Sequence, residues 1–284
     1  MRLKFIIWCI IFFAVKNNYA QIQNTSFFNE NWLKSIVSIE IVDDSLRGIP
    51  IGTGFIITTT NKHLALITAK HVIIDDSGKV IKNLAYRLNK NDSTSILIPD
   101  FLIPKEYAGE GWFLSEHADV ACRFVIILDN SDTKSISINF ILRENELKTT
   151  TPILVPGFPL GLRSEKFSNP IVRHGIVARC EENRIILDAF IFPGNSGGPV
   201  FYVPNIKVDN QTISSPILNE QRLIGLISAY IPYVDVAISN QTKRARISFE
   251  ENSGLCIAVP VDDILELLNR TDVIKAEKMI KYVK

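Results

Sequence analysis

The sequence predicts an all-β protein of the barrel or sandwich kind, with helix confined to its C-terminal end. Three observations point there. Short apolar runs rich in β-branched and aromatic residues recur along the chain: KSIVSIEIV, GTGFIITTT, HLALITA, TSILIPDFLI, DVACRFVII, TPILVPGF, IVRHGIVARC, RIILDAFIF, PVFYV, RLIGLISAYI and GLCIAV. Gly, Pro, Asn or Asp separates most of them, the punctuation of many short strands and turns. Past the leader, only residues 261–283 (VDDILELLNRTDVIKAEKMIKYV) keep helical spacing, with Asp262 and Asp263 near the start, where the helix dipole favours negative charge. At 284 residues the chain is long enough to bury a substantial core.

Taken in order, the first twenty residues stand apart. Arg2 and Lys4 precede an unbroken apolar run of 11 residues, FIIWCIIFFAV, followed by the polar KNNYA and Gln21. That is the layout of a secretory signal peptide cut after Ala20, and the run is too short to span a bilayer. The alternative is an uncleaved membrane anchor. Export to the periplasm or beyond is therefore expected, with no membrane association after cleavage. Loss of Arg2, Lys4 and Lys16 leaves 28 basic against 30 acidic residues, a net charge of −2. Nothing in that balance suggests a nucleic-acid partner. The one basic cluster, Lys243, Arg244 and Arg246, reads as a solvated loop.

Three cysteines follow the leader: Cys122, Cys180 and Cys256. They lie in apolar runs and lack the short spacings of a zinc site, so they read as small buried side chains; one disulfide is an open alternative. No metal and no cofactor is expected. The polar interval from Thr133 to Thr151 reads as a joint between a first half at about 32–132 and a second at about 150–260. Residues 204–222 and 234–253 read as surface loops. No further globular unit is expected after the last helix.

One stretch carries chemistry. GNSGGPV, residues 194–200, sets one hydroxyl among three glycines. In isolation such a stretch is a hairpin turn; alternatively, the glycines clear space so that a substrate carbonyl can reach Ser196. A serine hydroxyl needs a base to take its proton, and the base needs a third group to fix its tautomer. The histidines on offer are His63, His71, His117 and His174. His71 follows the apolar strand LALITAK beside a turn. Asp119, in EHADVACRFV, opens an apolar strand where its charge can be shielded. Any one of these histidines could equally be a satisfied core residue.

In family order, these blocks resemble the trypsin-like serine proteases, and the bacterial HtrA-like branch most. GTGFIITTTNKHLALITAKHV is similar to the block ending in the family's histidine motif, and HADVA to its aspartate motif. ILVPGFPLGL and IVRHGIVAR resemble the Gly-x-Pro-x-Gly segment and the strand after it. LDAFIFPGNSGGPV resembles the nucleophile block, and RLIGLISAYI with GLCIAVPVDDILELL the closing strands and helix. The resemblance runs from about residue 35 to 268. It implies two six-stranded antiparallel β-barrels of the chymotrypsin kind, with a C-terminal helix across the second and the site between the barrels. It also implies a serine endopeptidase acting on protein or peptide through an acyl-enzyme, with Ser196 as nucleophile, His71 as general base and Asp119 as orienting carboxylate. The N–H groups of Gly194 and Ser196 would form the oxyanion hole. The competing reading is a catalytically weak relative that uses the same barrels as a binding module.

Departures from the family pattern carry expectations of their own. Val72 replaces the cysteine that commonly follows the histidine, so that disulfide is absent. Asn195 stands where the digestive enzymes carry an aspartate that pairs with a newly cut N-terminal ammonium, so no such activation is expected. No PDZ domain is expected after the barrel pair. By the same resemblance Ala189 and Phe190 lie near the base of the specificity pocket, and Ser228, Ala229 and Tyr230 along its wall. None is acidic, which favours small or medium apolar residues before the scissile bond. His174 raises an alternative acidic preference.

Overall fold

The computed structural model describes residues 28–281 apart from 110, 165, 205–206, 210–211, 215–219 and 240. The expected leader, residues 1–20, lies outside the described residues, as does the far end of the expected helix.

In the first half β-branched residues build a sheet around strand β1 (Ile36–Val42), whose Ile36, Val37 and Ile39 are buried. It pairs antiparallel with β2 (Gly48–Thr58) on one side and β4 (Leu84–Asn89) on the other. From β2 the sheet continues through β3 (Leu64–Thr68) to β7 (Ala121–Phe124), and from β4 to β5 (Ser95–Pro99). The two-residue strands β6 (Phe113–Leu114) and β8 (Ile136–Ser137) pair with β7 and β2. The sheet thus has eight strands rather than the six expected. Strand β8 comes from the interval expected to be only a joint. Ile136 and Ile138 alternate through SISINF and bury on the sheet, which draws the segment in.

The second half is a closed six-stranded barrel, in the order β10-β11-β16-β15-β12-β9. Its strands are β9 (Pro152–Gly157), β10 (Ile171–Glu181), β11 (Arg184–Asp188), β12 (Pro199–Tyr202), β15 (Arg222–Ile238) and β16 (Ala245–Pro260). Closure leaves no unpaired sheet edge within the barrel wall. Val155, Val177, Ile185, Leu187, Ile224, Ile227 and Ala258 fill its interior. The chain has the double-barrel fold that the resemblance implies, with the closed strand ladder in the second half.

Two expected loops are structured. Within 204–222, β13 (Lys207–Asp209) and β14 (Thr212–Ser214) form a small hairpin. Residues 234–238 and 245–253 continue β15 and β16 as a ribbon that projects past the barrel, with Val234↔Glu250 and Val236↔Ser248 in register. Val234, Val236, Ile238, Ile247 and Phe249 are exposed on it. Its polar residues suggested a loop, yet the strand ladder persists because each strand supplies the other's backbone partners.

The single expected C-terminal helix is two: α1 (Val261–Leu268) and α2 (Thr271–Met279). Arg270 breaks them with extended backbone. Its guanidinium forks onto Asp272 at 2.7 and 2.9 Å and donates to the Leu114 carbonyl at 2.6 Å. The helices also do not rest on the second barrel alone. Buried Glu277 accepts from Thr59 Oγ1 and, at 2.8 Å, from Asn61 Nδ2 of the first half. Cys122, Cys180 and Cys256 are free thiols, and burial pushes those of Cys122 and Cys256 up to about 12.

Candidate active site

A strand ladder brings His71 and Asp119 together. Strands β3 and β7 pair with Thr68 opposite Ala121. His71 lies three residues beyond Thr68 and Asp119 two before Ala121, so antiparallel register puts both at the same end of neighbouring strands. His71 sits in a single helical turn, Lys70–Ile73, pinned by buried Val72 and Ile73 while the histidine stays in solvent. Its backbone N–H donates to Asp119 Oδ1 at 3.0 Å, and its ring Nδ1 lies 2.7 Å from Oδ2. A third group, the Ser228 hydroxyl of β15, donates to Oδ2 at 2.6 Å. Burial pushes the Asp119 carboxyl up, but the hydrogen bond and charge of His71, with the bonds from Ser228 and the His71 N–H, outweigh it. The carboxyl is held at about 2.

Ser196 lies on the loop that leads into β12, and among the described residues no hydrogen bond joins its hydroxyl to the His71 ring. Its carbonyl accepts the Thr53 N–H at 2.9 Å, and the next residue's N–H reaches the Ile227 carbonyl at 2.7 Å. Gly197 has φ +81°; a side chain there would come within 2.2 Å of both Thr53 O and Thr68 Oγ1. Only glycine lets the loop seat this closely on the strands that carry His71. The Ser196 hydroxyl donates to the Ser228 carbonyl at 3.2 Å. Ser228 thus touches both sides of the site, with its hydroxyl on Asp119 and its carbonyl on Ser196.

The residues before Ser196 are equally constrained. Gly194 has φ +97°, and a Cβ on it would meet the Phe158 carbonyl at 2.3 Å. Its own carbonyl accepts from Thr53 Oγ1 at 2.6 Å. Among the described residues neither the Gly194 nor the Ser196 N–H has an intramolecular acceptor. Asn195 is fully buried; its N–H bonds the Phe192 carbonyl at 2.9 Å and its Oδ1 accepts the Phe192 N–H at 3.0 Å.

Against this geometry the family can be read. Residues 52–204, just over half of the chain, match the model of the trypsin-like peptidase domain. The chain belongs to that family. No curated protein matches the sequence. His71, Asp119 and Ser196 lie inside the matched span of the peptidase domain, and Ser228, which joins them, lies beyond it. A peptidase of this family takes protein substrates.

The residues expected to shape specificity divide. Ala189 is buried, with its N–H on the Gly254 carbonyl at 2.9 Å. Phe190 is 55% exposed and lies against Gly254. Both line an open cleft with Arg173, His174 and Asp188. Ala229 is exposed, and the Tyr230 hydroxyl is 2.5 Å from Glu250 Oε1. The Ser228 side chain is committed to Asp119. That role, and the double hydrogen bond of Thr53 to the segments around Gly194 and Phe158, escaped the sequence reading. No local signal marks either contact, since Ser228 and Asp119 are 109 residues apart. Among the described residues no group of three or more His, Cys, Asp or Glu stands together as a metal site.

Proposed function

We propose that the protein is an exported serine endopeptidase in which Ser196, His71 and Asp119 cleave peptide bonds through an acyl-enzyme. The observation that carries the reading is the His71–Asp119 pair at 2.7 Å, joined through Ser228 to the Ser196 hydroxyl. With Nδ1–H directed at a carboxylate held ionised, Nε2 is the basic nitrogen of the imidazole. The Ser196 hydroxyl turns from the Ser228 carbonyl, gives its proton to Nε2, and Oγ attacks the scissile carbonyl. The carbonyl oxygen becomes an oxyanion and takes the two free N–H groups of Gly194 and Ser196, each such donor contributing roughly 3–4 kcal/mol to the transition state. His71 then passes the proton to the departing amine, and water repeats the sequence in reverse to release the acid.

The finer readings rest on the sequence. Export rests on the leader-like residues 1–20. The kinship to the HtrA-like branch rests on motif order, and the preference for small or medium apolar residues on the absence of acid among Ala189, Phe190, Ser228, Ala229 and Tyr230. A fluorophosphonate probe tests the central claim. The folded protein should be labelled on Ser196, and Ser196→Ala should not. Folded protein that resists the probe would support the binding-module reading instead.

A further inference from the structure

We propose that Arg163 is a positioning residue for the oxyanion loop, acting through a buried ion pair with Glu40; the inference rests on reading Gly194 and Ser196 as the oxyanion donors. Glu40 lies on β1 with its side chain fully buried, and two guanidinium groups hold it. Arg87 of β4 approaches with Nε 2.7 Å from Oε1 and Nη2 2.9 Å from Oε2. Arg163 donates from Nη2 to Oε2 at 3.0 Å and to the Gly48 carbonyl at 3.0 Å, while its Nε lies 2.8 Å from Oε1 without hydrogen-bond geometry. Desolvated pairs of this kind fix geometry, because neither partner can leave without stranding a charge.

The two arginines differ in where they come from. Arg87 belongs to the same sheet as Glu40. Arg163 follows β9 in the second half, at the end of the segment 158–163, and that segment lies against the oxyanion loop. The Leu160 N–H donates to the Pro193 carbonyl at 2.6 Å. The space beside Gly194 is closed by Phe158 O, Leu160 N and Gly161 N. Leu160 holds a left-handed conformation, φ +55° and ψ 22°, which a residue with a side chain keeps only when its surroundings impose it. Its own side chain is 63% exposed and imposes nothing.

Besides its own turn bonds, Gly161 N–H on the Phe158 carbonyl and Leu162 N–H on the Pro159 carbonyl, each at 3.0 Å, the segment is held at its two ends. At one end the Phe158 N–H donates to Thr53 Oγ1 at 3.0 Å; at the other Arg163 is locked on Glu40. Both anchors belong to the first half, so residues 158–163 form a bracket that presses on Pro193 and Gly194. Asn195 carries no charge with which the oxyanion loop could pair. The ion pair that stiffens it lies one layer out.

Two variants separate this from simple stability: Arg163→Met and Arg87→Met each leave Glu40 with one guanidinium. Amide hydrogen exchange in residues 192–197 should speed up about tenfold or more in Arg163→Met and stay near wild type in Arg87→Met. On a peptide substrate Arg163→Met should lower kcat about tenfold or more with KM within about twofold, while Arg87→Met stays within about twofold in both. Equal exchange in the two variants, or equal kcat, overturns the proposal. Should Arg163→Met fail to fold, Arg163→Lys keeps the charge without the planar guanidinium that spans Glu40 and Gly48, and should show the same changes, smaller. Wild-type protein that resists a fluorophosphonate would sink the catalytic reading, and the exchange comparison would still decide the bracket.

Discussion

The two sides of the candidate site hold their groups by different means. On the first side, His71 and Asp119 are placed by strand register: β3 and β7 are neighbours in one sheet, and two residues just past the ends of a ladder meet automatically. On the second side, Ser196 and Gly194 sit in a loop that no ladder controls. The Gly197 N–H on Ile227 ties its end to the second barrel, and contacts from the other half hold the rest: Thr53 on the Ser196 and Gly194 carbonyls, Thr68 against Gly197, and Arg163 through Glu40. One side is a local product of sheet geometry and the other depends on how the halves dock. Damage to the first should therefore act through lost chemistry, and damage to the second through lost position.

The largest effects should come from the reacting groups themselves. Ser196→Ala, His71→Ala and Asp119→Asn should each lower kcat by about 10³-fold or more in steady-state peptide hydrolysis, and the losses should not add in double variants. Additive losses would mean that the two sides work independently. Gly194→Ala comes next, because the new Cβ would meet the Phe158 carbonyl at 2.3 Å in a conformation already at φ +97°. Its kcat should fall about 10²–10³-fold. The low-field imidazole proton of the His71–Asp119 pair should remain in the NMR spectrum, and its loss would show that the sides are coupled.

A smaller effect is expected at the group that bridges the two sides. Ser228→Ala removes one of the bonds that hold the Asp119 carboxyl at about 2, and should lower kcat by about 3–10-fold. The carboxyl lies below its ordinary 3.8, so its contribution to stability is complete above that value. It is lost as pH falls from there through about 2. Melting temperature followed against pH should show a smaller loss, complete at higher pH, in Ser228→Ala than in wild type; coincident profiles would remove Ser228 from the account. The smallest effect concerns the N-terminus. Burying an ammonium beside neutral Asn195 would cost several kcal/mol without an ionic partner. Protein beginning at Gln21 and protein carrying a short tag ahead of it should therefore share one kcat/KM within about twofold. Activity confined to one trimmed N-terminus would mean that the oxyanion loop is not held by the contacts described above.

Much of the fold is written locally. Val37, Ile39, Phe55 and Leu66 fall in alternating or fully apolar runs because a strand has period two, and that signal survives without neighbours. The glycines around Ser196 are legible for the same reason, since a turn that needs φ above zero shows in its residues. Elements that exist only through pairing were not legible: the projecting ribbon at 234–253, the two-residue β8, and the break at Arg270, which depends on the Leu114 carbonyl. His71, Asp119 and Ser196 could be named from motifs, but Ser228 on Asp119 and Arg163 on Glu40 could not. Those contacts join residues 109 and 123 apart, and only barrel closure and docking bring them within hydrogen-bond range. Residue type and spacing act over a turn or a strand, whereas a buried hydroxyl or guanidinium finds its partner through the packing of the whole chain.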